Sequence, residues 1–431
     1  MLSEPEKSSR REFIGHTAGT AAGLLILKPH TVRGYQANSA VRIGLLGCGA
    51  RGTAVATSFS KNTTARIVAL ADIFPDQLEK ALGTFGTLAN SLGYSGPDRK
   101  LTFRGAHAYQ ELAASNQIDA IQISTPPFFH VEHLDAAVAG GKHAYCEKPV
   151  GVDIAQTQRA LQIAARVDGK VSIDVGFQIR SAPPFVELVR RIHGGALGKL
   201  VSISAHYYAP AIQYPDRPAS MSHDELRLRN WNWDLTLSGD IIVEQDIHVI
   251  DICNWVLQSR PLNVYATGAR SVLTHFGNNF DNYQVNYTYP NDIHVSFAAK
   301  QYGPDRFFDV SEQVFGAKGY SESPYSGPLR IVGDDPWEWK AEAPTTPGGA
   351  QFAANGVFSD NLAQADSEKD KGFIESIVTG KFHNQISLGV ESARSAMMAR
   401  ISARQKRVVS WDDLMASNET FDLGFDVNQF V

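Results

Sequence analysis

The chain has 431 residues, 43% of them hydrophobic and 20% charged, an ordinary soluble composition with room for two or three domains and a sizeable core. The first 39 residues carry five of the 40 basic and three of the 45 acidic side chains, leaving 35 against 42 and a net charge of −7; that sign argues against nucleic acid or an anionic membrane as the main partner. Three scattered cysteines, Cys48, Cys146 and Cys253, are too few for a disulfide framework or a zinc site, and no later apolar run has the length of a membrane span.

The N-terminus reads as an address. Ser9-Arg10-Arg11-Glu12-Phe13-Ile14 precedes a short Gly/Ala-rich apolar run, 16–27, and then Lys28. Paired arginines ahead of such a segment resemble a twin-arginine export signal, and the segment is too short to remain as an anchor. The expectation is a signal and linker over 1–39 and a periplasmic or otherwise exported protein that crosses already folded.

A β-branched and aliphatic strand, 41–46, runs into Gly47-Cys48-Gly49-Ala50-Arg51-Gly52. A G-x-G-x-x-G at a strand-to-helix turn lets backbone amides approach a pyrophosphate at a helix N-terminus. A second strand, 66–71, ends in Asp72, twenty residues after Gly52, where a carboxylate would meet the adenosine ribose 2′-hydroxyl. Asp72 favours NAD over NADP, whose 2′-phosphate would face a like charge. Strand 118–124 ends in Thr125-Pro126-Pro127-Phe128-Phe129-His130, a loop placed to wall the nicotinamide, because the prolines cannot donate to a sheet. His130 opens the next helix, 131–139, as a helix-start or packing residue at that loop rather than a catalyst. Strand 142–146 ends in Glu147-Lys148-Pro149, which sets an amine at the carboxyl end of a strand, where open α/β sheets bind ligands. Alternating strands and helices predict a parallel, doubly wound sheet over 40–165.

After a helix over 154–167, a strand at 170–176 leads to Gln178 and Arg180. From about 199 the pattern turns to period-two strands, 200–208, 262–269, 281–289 and 293–299, the last two joined as a hairpin across Pro290-Asn291-Asp292. This predicts an α+β second domain over 166–417 with an open, mostly antiparallel sheet, one face free for a neighbouring subunit in a dimer or tetramer, and a tail over 418–431. Aromatic and polar groups, His206, Tyr207, Tyr208, Tyr214 and Arg229-Asn230-Trp231-Asn232-Trp233, suit sugar faces and hydroxyls. The stretch 333–363 reads as a long loop, and 388–405 as a helix.

Between the strands, Asp240 would cap a helix running to about 257. At helical spacing Glu244, His248 and Asp251 share a face, so Glu244 could orient His248 as a general base for alcohol oxidation. Asp246 points elsewhere on an ideal helix. Glu244, His248 and Asp251 lack further ligands and an H-E-x-x-H pattern, so no metal is expected.

These motifs in sequence, G-x-G-x-x-G, Asp72, Thr125-Pro126-Pro127, Glu147-Lys148-Pro149 and Glu244-x-x-x-His248, resemble the Gfo/Idh/MocA oxidoreductase family over about 41–417. With the signal they resemble its exported, glucose–fructose oxidoreductase-like and glycoside-oxidising members. The resemblance implies Lys148 beside the nicotinamide and His248 as acid/base on the substrate hydroxyl, with the family's orienting carboxylate, usually Asp, falling on Glu244. The expected cofactor contacts are Gly47, Gly49, Ala50, Arg51, Gly52, Asp72, Thr125, Pro126, His130, Glu147 and Lys148. The expected substrate contacts are Gln178, Arg180, Tyr208, Trp231, Asp246 and His248. The expected function is hydride transfer between a sugar, polyol or glycoside hydroxyl and tightly held NAD. A glycoside-cleaving enzyme working by oxidation and elimination, and a non-catalytic sugar-binding protein, are the alternatives.

Overall fold

The computed structural model describes residues 40–211, 220–303, 307–340, 351–352 and 358–430. The chain divides into two units, 1–39 and 40–431, and all described residues lie in the second. The expected export signal and Tyr214 lie outside them, as does part of the expected loop at 333–363.

The first domain runs β1 (Arg42–Leu46), α1 (Ala50–Asn62), β2 (Arg66–Asp72), α2 (Pro75–Ser91), β3 (Thr102–Arg104), α3 (Ala108–Ala114), β4 (Ala120–Ile123), α4 (His130–Ala139), β5 (His143–Cys146), α5 (Ile154–Val167) and β6 (Ile173–Val175). Every pairing is parallel and the order is β3-β2-β1-β4-β5-β6. The order reverses between β1 and β4, which opens a crevice at the strands' carboxyl ends. Helices cover both faces, so all four residues of β4 are buried, as parallel strands require. α5 starts sharply because Asp153 Oδ1 accepts from the Gln156 amide at 2.8 Å. The sheet extends past the boundary expected at 165, because β6 pairs with β5.

The second domain adds α6 (Pro183–His193), β7 (Leu200–Ala209), α7 (His223–Arg229), the single turns α8 (Leu235–Ser238) and α9 (Ile241–Glu244), α10 (Ile247–Leu257), β8 (Asn263–Ala269), β9 (Asn282–Tyr289), β10 (Ile293–Gln301), β11 (Asp309–Gly316), β12 (Gly319–Pro324), β13 (Arg330–Gly333) and β14 (Trp337–Glu338), then α11 (Ala365–Thr379), α12 (Ile386–Gln405), β15 (Val409–Ser410) and α13 (Trp411–Ser417). Nine strands pair in the order β14-β13-β12-β11-β7-β10-β9-β8-β15. All neighbours are antiparallel except β7 and β10. Alternate residues of β7 to β11 are buried on the inner face. The outer face exposes Tyr265, Gln284, Asn286, His294 and Ser296, the one-sided pattern of an antiparallel sheet.

One apolar cluster joins the two domains. α12 lies against the first domain so closely that a Cβ on Gly389 would sit 2.9 Å from a Val150 methyl. Arg400 of α12 is buried and donates to the carbonyls of Val152 (2.8 Å) and Gly239 (2.9 Å), with Glu419 beside it.

Two expectations change. β11 to β13 and α11 were not anticipated; Glu312 of β11 and Asp370 of α11 are buried polar residues that interrupt the apolar pattern by which such elements are read. The helix expected over 240–257 is two pieces. Asp240 does cap, Oδ1 accepting from the Ile241 amide at 2.9 Å, but the chain kinks at Gln245-Asp246, where the Asp246 amide reaches five residues back to the Ile241 carbonyl at 3.0 Å. The Gln245 side chain is bonded by Gln301 of β10 and by the Tyr207 hydroxyl of β7, so side-chain bonds to the sheet accompany the break.

Candidate active site

The glycine loop is built by close approach. Gly47 has φ of 91°, and a Cβ there would lie 2.6 Å from the Ser124 carbonyl oxygen. A Cβ on Gly52 would lie 2.1 Å from the Gly47 carbonyl oxygen, so both glycines are needed to bring α1 against the loop. Gly49 differs: nothing lies within 4 Å of its Cβ position. It N-caps α1 without a side-chain bond, and Ala50 is exposed behind it. Free amides at the start of a 13-residue helix, beside an open cradle, fit a pyrophosphate.

Asp72 closes the other side. Its Oδ2 accepts from the Cys48 amide at 2.7 Å and its Oδ1 from the Phe74 amide at 2.9 Å. Each oxygen keeps a lone pair for a ribose hydroxyl. Burial raises its pKa, and the backbone bonds, Phe74's first, oppose that.

Three expected cofactor contacts prove to be internal ties. The Arg51 guanidinium bonds Glu147 (2.8 Å) and grips Asp366 of α11 with two 3.0 Å bonds, so it is spent on the protein. Glu147 is buried between Arg51 and the Lys148 amide, and a Cβ on Gly176 would fall 2.4 Å from its carboxylate. His130 is buried, with one ring nitrogen 2.8 Å from the Pro149 carbonyl and the other 2.8 Å from the Thr125 carbonyl. It clamps the loop after β4 to the loop after β5, and burial lowers its pKa. Thr125 and Pro126 border the crevice half-buried, the Thr125 hydroxyl 2.9 Å from His133 Nδ1.

Lys148 reaches from this crevice to the second domain. Its ammonium donates to Glu244 Oε1 at 2.7 Å and also to the Glu244 carbonyl. Glu244 therefore holds Lys148, and no bond joins it to His248; the kink after α9 moves the carboxylate off the face that an unbroken helix would share. His248, second residue of α10, is buried with Nδ1 unpartnered and the edge of the Phe177 ring 6.1 Å away between centroids. Burial first, then the charges of Lys148 and Arg51, push its pKa well below the ordinary value, so the imidazole is neutral and able to take a proton. Asp246 is 3% exposed, with Oδ2 unpartnered. Burial, then Asp240 and Glu244, raise its pKa well above the ordinary carboxylate value.

The expected substrate residues divide. Gln178 is half-buried with its buried carbonyl oxygen unpartnered, free for a hydroxyl. Arg180 is committed to Asp251 at 2.7 and 3.0 Å, with its guanidinium over Trp255. Asp251 also accepts from Ser392 at 2.7 Å, so Glu244, His248 and Asp251 do not converge. Tyr208 lies on the open sheet face, stacked on His206 at 4.7 Å. The alternation of β7 turns its neighbour Tyr207 inward, towards Gln245. Trp231 is half-buried among Phe128, Phe129 and the C-terminal tail. Asp366 and Gly176 are not legible as site residues in the sequence; only Gly176, directly after β6, carries a local signal.

A glycine cradle at a switch point, facing a lysine and a neutral histidine from an open-sheet domain, is the arrangement of a nucleotide-dependent oxidoreductase. Residues 41–175 match the family model "Oxidoreductase family, NAD-binding Rossmann fold" and 185–322 match "GFO/IDH/MocA C-terminal domain". The chain belongs to the Gfo/Idh/MocA family, and its first domain is that family's NAD-binding domain. Inositol 2-dehydrogenase of Rhizobium meliloti is 28% identical over 53% of this chain and 58% of its own length; the chain thus spans under two thirds of that relative. A glycosyl hydrolase family 109 protein of Streptomyces coelicolor is 32% identical over 28% of this chain and 25% of its own length. Scyllo-inositol dehydrogenase of Lactobacillus casei, solved with bound NAD(H) and scyllo-inositol, superposes with a TM-score of 0.64 at 18% identity, over 87% of this chain and all of that one, a likeness of fold.

Proposed function

We propose that the chain is an NAD-dependent dehydrogenase of a cyclic polyol, sugar or glycoside hydroxyl. The observation that carries this is a neutral, buried His248 beside a Lys148 held by Glu244, next to the cofactor crevice. When bound, the nicotinamide accepts the hydride from the carbinol carbon. His248 takes the hydroxyl proton, and the Lys148 ammonium stabilises the negative charge that develops on the oxygen. Gln178 supplies an acceptor for a neighbouring hydroxyl. The names of the inositol dehydrogenase relatives support a ring polyol as substrate.

The Arg10-Arg11 signal supports export in the folded state, where free NAD is scarce. A cofactor that stays bound and is regenerated by a second carbonyl fits that setting. The open face of the nine-stranded sheet supports a homo-oligomer.

The test is to purify the mature protein without added nucleotide, identify what it releases on denaturation, and mix it with a panel of inositols, sugars and glycosides. Bound NAD, with reduced-nicotinamide absorbance and a keto product on one of them, is the expected result. Glycoside cleavage with no accumulated reduced cofactor would replace it by oxidation and elimination, the reading the glycosyl hydrolase relative favours. No nucleotide bound or taken up would overturn both.

A further inference from the structure

Asp72 at the end of β2 marks the adenosine ribose of a dinucleotide bound in a sheet of this order, and the loop after β4 borders the same crevice. Here a separate apolar cluster bridges the loops after β2 and β4. Ile73 and Phe74 after β2, and Phe128 and Phe129 after β4, pack with Leu228, Trp231 and Leu237 of the second domain and with Leu423, Phe425, Val427 and Phe430 of the C-terminal tail.

The bridge is anchored at both ends. Arg229 of α7 lies 3.8 Å above the Phe74 ring and pairs with Asp76 at the start of α2 by bonds of 2.9 and 3.0 Å. The Phe430 ring meets Phe74 at 6.2 Å and Phe425 at 6.3 Å. Arg227 stacks on Phe425 at 4.9 Å and donates to the Leu423 carbonyl at 3.1 Å. Upstream, the tail is fixed to the start of α5, where the Phe421 amide donates to Asp153 at 2.8 Å and the Ala155 amide to the Glu419 carbonyl at 3.2 Å.

We propose that residues 222–238 and the tail 419–430 form an outer wall of the adenosine half of the dinucleotide site, so that the cofactor exchanges only when this wall lifts. The inference rests on the NAD-dependent reading above and gives it a structural cause: retention comes from this chain's own tail. Neither segment carries a residue of the proposed proton-transfer pair, so loosening the wall changes exchange without removing the chemistry.

The test follows release of bound NADH by its fluorescence after a chase with excess NAD. It compares the parent protein with Phe430→Ala and with a chain stopped after Gly424, alongside thermal melts of each. Release at least tenfold faster in the variants, with melting of Phe430→Ala close to the parent's, is the expected result; that variant removes one ring at the end of the chain and keeps the test valid should the shortened chain not fold. Release at the parent's rate in Phe430→Ala overturns the wall and leaves the dehydrogenase reading standing. A parent protein that binds no NADH overturns both.

Discussion

At the scale of single residues, the site depends on two groups held in different ways. Lys148 is aligned by Glu244 through a 2.7 Å bond, and His248 is kept neutral by burial and by nearby positive charge. Lys148→Met removes the charge that meets the developing alkoxide. Losses of about 10²–10³ in kcat are typical for one such donor, and we expect that loss with NAD still bound, read as single-turnover formation of reduced nicotinamide beside nucleotide titration. Turnover unchanged would remove Lys148 from the mechanism. The His248 prediction concerns pH. A free imidazole protonates around pH 6.5; a base whose pKa is depressed stays neutral through that region. For alcohol oxidation kcat/KM should therefore stay level as pH falls through about 6.5, and an inflection there that is lost in His248→Asn would show that the imidazole titrates at its ordinary value and overturn the depressed pKa.

At the scale of elements, long-range ties position the site. α11 sends Asp366 to Arg51 across 315 residues, and Arg51 in turn holds Glu147 beside Lys148. Asp366→Asn removes one charge from a half-buried bidentate pair, and hydrogen bonds to charged groups contribute about 1.5–3 kcal/mol each. Partial exposure of Arg51 discounts that, so we expect a loss of about 1–2 kcal/mol in the urea midpoint; no change would make the tie ornamental. What the sequence disclosed about this site was what a few consecutive residues encode. Gly47, Gly49 and Gly52, Asp72, Thr125-Pro126 and Lys148 lie at or just past strand ends, so a strand followed by a turn suffices to find them. The internal ties of Arg51, Arg180 and His130 were not legible because their partners, Asp366, Asp251 and two backbone carbonyls, are set by tertiary packing that no local window contains. The kink at Gln245 is similar: Gln301 and Tyr207 lie on other strands, so an ideal helix placed Glu244 on His248. Which of Tyr207 and Tyr208 faces inward is a matter of strand phase, which the aromatic run His206-Tyr207-Tyr208 leaves ambiguous.

For the whole molecule, buried ionisable groups set a stability optimum whose sign can be worked out. His133 and His143 are pushed by burial to about 3 and about 4. The unfolded chain takes up their protons below about pH 6.5 while the folded chain refuses them, so these histidines lower stability as pH falls from there. Buried carboxyls act oppositely. Glu312, on the inner face of β11 with Ser323 donating to it at 3.0 Å, is pushed up to about 8. Its proton leaves the unfolded chain near pH 4.5 and the folded chain only near 8, so stability is lost as pH rises between them. From pH 4.5 to 6.5 the two sets offset each other. Above 6.5 the histidines are neutral in both states and the raised carboxyls act alone. Stability should therefore fall between about pH 6.5 and 8, by about 1.4 kcal/mol per pH unit for each such group, as read by urea unfolding at constant ionic strength. Glu312→Gln removes one group from that slope: its advantage over the parent should grow as pH rises from 4.5 to 8 and be constant beyond. Parallel pH curves for the two proteins would show that Glu312 ionises alike in the folded and unfolded chains.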